Sequence, residues 1–90
     1  AAYTLTKAAL VTMTYSLAQA LAPNVQVNAI APGLILPPPG QDASYLDRKA
    51  QLIPARRAGS PEEIVRAMLY LLQSDFVTGE VILVTGGEHL

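Results

Sequence analysis

Val25-Gln26-Val27-Asn28-Ala29-Ile30-Ala31 is bracketed by Asn24 on one side and Pro32-Gly33 on the other. Apolar residues recur with period two along it, and the turn residues close both ends, so it reads as a β-strand. Both ends of the alternation are apolar, which fits an interior place in a sheet covered by helices.

Upstream, residues 2–21 are dominated by good helix formers. Leu10, Met13, Leu17 and Leu21 fall three or four apart, the spacing of one helix face. Alanines at 8, 9, 18, 20 and 22 widen that stripe, so the helix is expected to be buried on more than one side. Pro23 and Asn24 end it. Downstream, Pro37-Pro38-Pro39-Gly40 excludes regular helix or central strand, because three successive residues lack a backbone donor. Asp42 or Ser44 caps a short helix reaching about Leu52. Ser60-Pro61-Glu62-Glu63 then carries serine at N-cap, proline at N1 and a glutamate placed for a capping box. Ile64, Ala67, Met68, Leu71 and Leu72 continue it at helical spacing to Gln73 or Ser74. After Thr78-Gly79-Glu80, the apolar run Val81-Ile82-Leu83-Val84 has strand length, and Thr85-Gly86-Gly87 closes it.

Helix, strand, crossover with helices, strand is a piece of a parallel α/β sheet. Two strands are too few for independent stability. Among 90 residues, 51% are apolar and only 14% charged, a balance suited to part of a larger core. The chain starts without methionine, directly in a helical pattern. The expectation is a C-terminal segment of a longer protein, whose N-terminal remainder supplies the missing strands.

Composition narrows the chemistry. A net charge of −1 offers no electrostatic reason for a nucleic-acid partner or an anionic membrane. Without cysteine, there is no disulfide, thiol nucleophile or cysteine zinc site. The single histidine, His89, makes no metal site alone and is expected in a frayed tail. No apolar run has the length of a spanning helix, so a soluble, cytoplasmic protein is expected.

Tyr3 and Lys7 stand four apart, so in a helix the phenol and ammonium project from nearly the same face. A nearby ammonium favours the phenolate and brings a tyrosine towards the working range of a general acid or base. Such pairs are also common on ordinary amphipathic helices, and this one alone is not diagnostic.

The order of blocks is. Tyr3-x-x-x-Lys7 leads a long helix into Val27-Asn28-Ala29-Ile30-Ala31-Pro32-Gly33. Arg57-x-Gly59-x-Pro61-Glu62-Glu63-Ile64, Val77-Thr78-Gly79 and Val84-Thr85-Gly86-Gly87 follow. This series resembles the C-terminal part of the classical short-chain dehydrogenases/reductases, Rossmann-type enzymes with a doubly wound parallel sheet that move hydride between NAD(P)(H) and a carbonyl or alcohol. Leu34-Ile35-Leu36 with the proline run leans towards the pteridine-reductase-like branch.

The resemblance implies roles. Tyr3 would be the general acid or base, and Lys7 would bind the nicotinamide ribose and tune Tyr3. Both would touch the cofactor, NADP or NAD with NADP slightly favoured, as would Pro32, Gly33, Leu34 and Ile35. The backbone of Ile35 would meet the carboxamide. Leu34, Leu36 and Pro37 would line the substrate pocket, although plain packing explains apolar residues there equally well. Asn28 is read as a structural hydrogen-bonder rather than a catalytic group. No metal is implied. The substrate would be a small carbonyl or pteridine compound, or alternatively a 3-oxoacyl thioester or secondary alcohol. A non-catalytic assembly fragment or subunit is the reading from another class. Relatives assemble through the equivalent helix and final strand, so a homotetramer or dimer is expected. Family members often carry threonine where Pro37 stands, so the usual cofactor contact there is in doubt. The glycine-rich phosphate loop and the catalytic serine would precede Ala1. This segment alone would be inactive.

Overall fold

The computed structural model describes the backbone of residues 2–37 and 39–90, and their side chains except those of residues 2–4 and 6. Pro38, in the middle of the proline run, lies outside the described residues.

Helix α1 spans Ala2–Leu21. It ends where Pro23 removes a donor, and Val25 N–H closes onto the Leu21 carbonyl at 3.0 Å. Strand β1, Ala29–Pro32, pairs in parallel with β2, Val81–Val84, in the register Ala29↔Val81 to Pro32↔Val84. Between them lie helices α2, Ala43–Ala50, and α3, Pro61–Gln73. Helix α3 packs on both strands and α1 packs on β1. Parallel neighbours joined through helices are the arrangement read from the sequence.

The strand is shorter than its alternation. Residues 25–28 lie outside the ladder, because β2 begins only at Val81 and supplies no strand partner earlier. Val27 and Asn28 bond instead to the turn that precedes β2. Val27 N–H donates to Thr78 Oγ1 (3.1 Å) and Gly79 N–H donates to the Val27 carbonyl (2.8 Å). Asn28 completes the substitution: its Nδ2 donates to the Val77 carbonyl (2.9 Å) and its Oδ1 accepts from Glu80 N–H (3.0 Å). Asn28 is thus structural, as read.

Helix α2 is capped by Asp42, whose side chain accepts from Ser44 N–H at 2.9 Å. The expected end near Leu52 falls instead at Ala50, where Leu52 N–H turns back to the Lys49 carbonyl (2.9 Å) and tightens the last turn. Helix α3 starts with the expected capping box. Glu63 Oε2 accepts from Ser60 N–H at 2.7 Å.

Burial is sparse. Ala18, Ala50 and Ile53 are the buried apolar residues, joined by Thr14 and Thr85, among the described residues. The expectation that α1 is buried on more than one side is therefore not met within this chain: Leu5, Met13, Tyr15, Leu17 and Leu21 are all exposed. A two-stranded sheet has too little surface to cover a 20-residue helix. All four β2 residues are half-buried. The C-terminal tail is not frayed either. Glu88 N–H donates to the Thr85 carbonyl (3.1 Å), and the His89 ring is within 2.7 Å of the buried Thr85 hydroxyl. No described helix is long and apolar enough to cross a membrane.

Candidate functional site

Both strands run in the same direction, so their carboxyl ends open at one edge of the sheet. Ligands of open α/β sheets sit at that edge. The chain leaving β1 is Gly33-Leu34-Ile35, and the chain leaving β2 is Thr85-Gly86-Gly87. Gly33 N–H donates to the Val84 carbonyl at 2.9 Å, carrying the ladder one residue past β1. The two chains then touch closely. A Cβ at Gly33 would lie 2.8 Å from Thr85 Cα and 2.7 Å from Glu88 Oε2. The strand end needs glycine here for close approach, since Gly33 is not in the left-handed region.

On the other side of the β1 exit stands the loop between α2 and α3. Gly59 N–H donates to the Leu34 carbonyl (2.8 Å). Arg57 Nη2 lies 2.7 Å from Glu63 Oε1, with the arginine 65% and the glutamate 20% exposed. The Arg57 guanidinium, then the Ser60 N–H, hold the Glu63 carboxyl below the usual carboxylate range. Glu63 in turn holds the Arg57 guanidinium above its ordinary value. A carboxylate in the first turn of α3 also complements the positive end of that helix. Leu34, Arg57, Gly59, Glu63, Leu83 and Thr85 line a cleft of ≈ 270 Å³.

The expected site residues distribute as follows. Pro32 is exposed at the end of β1, while Gly33, Leu34, Ile35 and Pro37 are half-buried and Leu36 is exposed. Leu34 alone among the expected residues borders the cleft. Ile35 faces the Gly59 loop, its Cγ1 being 3.4 Å from where a Gly59 Cβ would lie. Lys7 is half-buried on α1. The Tyr3 side chain lies outside the described residues. Among the described residues no cluster of three His, Asp or Glu side chains is placed to hold a metal ion.

Sequence reading left Arg57, Gly59, Glu63, Thr85 and Glu88 without roles at this edge. For the first three a signal was present: the capping box places Glu63 against the loop that carries Arg57 and Gly59. Thr85 stood in the Val84–Gly87 block, but its contact with Gly33, like that of Glu88, is set by the register of two distant strands.

Comparison with known proteins agrees with this architecture. The family model described as Enoyl-(acyl carrier protein) reductase matches residues 1–89. A dihydromonapterin reductase of Citrobacter koseri is 46% identical over 89 residues, covering 99% of this chain and 37% of that protein. A Streptomyces violaceoruber protein named for ketoacyl reductase 2 of the granaticin polyketide synthase is 42% identical over 78 residues, covering 82% of this chain and 31% of its own length. The crystal structure of FolM alternative dihydrofolate reductase 1 from Brucella suis in complex with NADP superposes with a TM-score of 0.88 at 42% identity, covering 97% of this chain and 35% of that one. The chain thus spans about a third of the length of the relatives it matches, and its helix–strand–crossover–strand unit is part of a Rossmann-type sheet. With the motif series and the family match running along almost its whole length, the chain belongs to the short-chain dehydrogenase/reductase family.

Proposed function

We propose that this chain is the C-terminal segment of a single NAD(P)-binding Rossmann domain in an NADP(H)-dependent reductase of a pteridine-type or related carbonyl substrate. The observation that carries the reading is its 46% identity, over 99% of its length, to a dihydromonapterin reductase. The NADP-bound FolM relative supports the cofactor choice. The strand-end geometry fits such a group: glycine at position 33 keeps the exit of β1 clear of side-chain bulk, and the Leu34 carbonyl is already taken by Gly59.

When bound, the nicotinamide supplies the hydride. Tyr3 gives the compensating proton from its phenol to the substrate atom that gains negative charge, or takes it back in the reverse direction. Lys7 holds the ribose hydroxyls and, through its positive charge, biases the Tyr3 phenol towards ionisation. Ile35 binds by its backbone, Gly33 and Leu34 border the cofactor, and Pro32 fixes the direction of the exit. Leu34, Leu36 and Pro37 border the substrate.

The test uses the full-length protein with NADPH and a dihydropterin. Tyr3→Phe should lower turnover by about 10²–10⁴-fold, the range of general acid catalysis, while leaving NADPH affinity nearly intact. Lys7→Ala should damage both. A Tyr3→Phe enzyme that kept most of its rate would overturn the assignment. The polyketide ketoacyl relative favours a second reading, reduction of a 3-oxoacyl thioester. Faster turnover of such a thioester than of a dihydropterin would select it.

The whole protein is read as a homotetramer or dimer, with whatever part of Leu5, Met13, Leu17 and Leu21 on α1 the rest of the sheet leaves uncovered packing against a symmetry mate. Light scattering showing a monomer at micromolar concentration would refute it. Cytoplasmic residence completes the proposal, and cell fractionation tests that.

A further inference from the structure

The peptide between Leu34 and Ile35 is held from one side. Gly59 N–H donates to the Leu34 carbonyl at 2.8 Å. The carbonyl and N–H of a trans peptide point in opposite directions, so this bond turns the Ile35 N–H away from the Gly59 loop. Among the described residues, no backbone acceptor is paired with that N–H.

Gly59 is itself seated by a carboxylate. Glu63 Oε2 lies 2.7 Å from where a Gly59 Cβ would be, so position 59 has no room for a side chain unless Glu63 moves. Glu63 is restrained at both oxygens: Arg57 Nη2 is 2.7 Å from Oε1, and Ser60 N–H is 2.7 Å from Oε2. Arg57 is mostly exposed, so the ion pair alone is screened by water and salt. Its use lies in tying the loop to the start of α3 on both sides of Gly59: Arg57 Nη1 donates to the Ala58 carbonyl (3.2 Å) and Ser60 N–H donates to the Glu63 carboxylate.

We propose that Gly59, with Arg57 and Glu63 behind it, is a positioning group that aims the Ile35 N–H at the nicotinamide end of the cofactor. This rests on the NADP(H) reading above and adds to it residues that touch no ligand. The consequence is selective: the bracket governs the nicotinamide half of the cofactor and leaves the adenosine half alone. A glutamine at 63 can serve only one of the two donors that now share the carboxylate, because its amide nitrogen accepts nothing.

The experiment measures binding of NADPH and of adenosine 2′,5′-bisphosphate, which lacks the nicotinamide, to full-length wild type, Glu63→Gln and Gly59→Ala by calorimetry. Both variants should weaken NADPH by about five- to tenfold, the scale of one misplaced hydrogen bond. Bisphosphate affinity should stay within about twofold. Equal losses on the two ligands would mean a merely structural role and overturn the proposal, as would unchanged NADPH affinity. Should Gly59→Ala not fold, Glu63→Gln, which is nearly isosteric, carries the test. Failure of the underlying reading is visible separately: wild-type protein would then gain no affinity from the nicotinamide half at all.

Discussion

Gly33→Ala is the sharpest probe of the strand-end geometry. The added methyl would meet Thr85 Cα at 2.8 Å, whereas ordinary contact begins at 3.4 Å. Going from 2.8 to 3.4 Å requires a movement of about 0.6 Å. Applied along the Gly33 N–H to Val84 carbonyl bond, that movement stretches 2.9 Å to about 3.5 Å, the limit of a useful hydrogen bond. The obstructing atom is backbone, so no rotamer change relieves it. Overpacking of this kind costs about 1–3 kcal/mol, and each kcal/mol lowers Tm by roughly 2–4 °C in a domain of 150–250 residues. Thermal unfolding of the full-length protein reads the effect directly. Two controls isolate the cause. Gly40→Ala meets nothing within 4 Å but sits at φ +86°, so it should lose only about 1 kcal/mol of backbone strain. Adding Glu88→Ala to Gly33→Ala removes the 2.7 Å side-chain clash but not the Thr85 one, so it should restore less than half of the loss. Unchanged stability in Gly33→Ala, or full rescue by Glu88→Ala, would refute the reasoning.

Asn28→Ala strips the partners from the Val77 carbonyl and Glu80 N–H and should destabilise the protein by about 1–3 kcal/mol in urea unfolding; Asn28→Asp keeps the acceptor and should do no better, because its carboxylate faces a carbonyl. The Glu63 carboxyl is lowered in the folded state, chiefly by Arg57 and then by Ser60 N–H. Its stabilising contribution is therefore fully present above the ordinary glutamate range and is lost as pH falls through the lowered value. Wild type and Glu63→Gln should differ in urea midpoint at neutral pH and converge on acidification, and a gap that stayed constant into the acid range would contradict this.

Local chemistry carried most of the fold. The Ser60-Pro61-Glu62-Glu63 start of α3, the Asp42 cap of α2, the Pro23 stop of α1 and the Val81–Val84 strand each follow from neighbours within one or two turns, so each was legible in the sequence. The end of β1 was legible to within one residue: Pro32, read as part of the closing turn, is the last residue of the strand and pairs with Val84. Tertiary structure alone decided where β1 begins: the alternation starts at Val25, but a strand exists only where a partner does, and that partner starts at Val81. It alone decided which surfaces are covered, because 20 residues of apolar helix need more sheet than two strands provide. It also made the Gly33–Thr85 contact and the Gly59–Leu34 bond. These join residues 52 and 25 positions apart through one parallel register and one loop closure. No periodicity or capping rule reaches that far along a chain. The site therefore takes its residue types from short-range sequence and its geometry from the register between two distant strands.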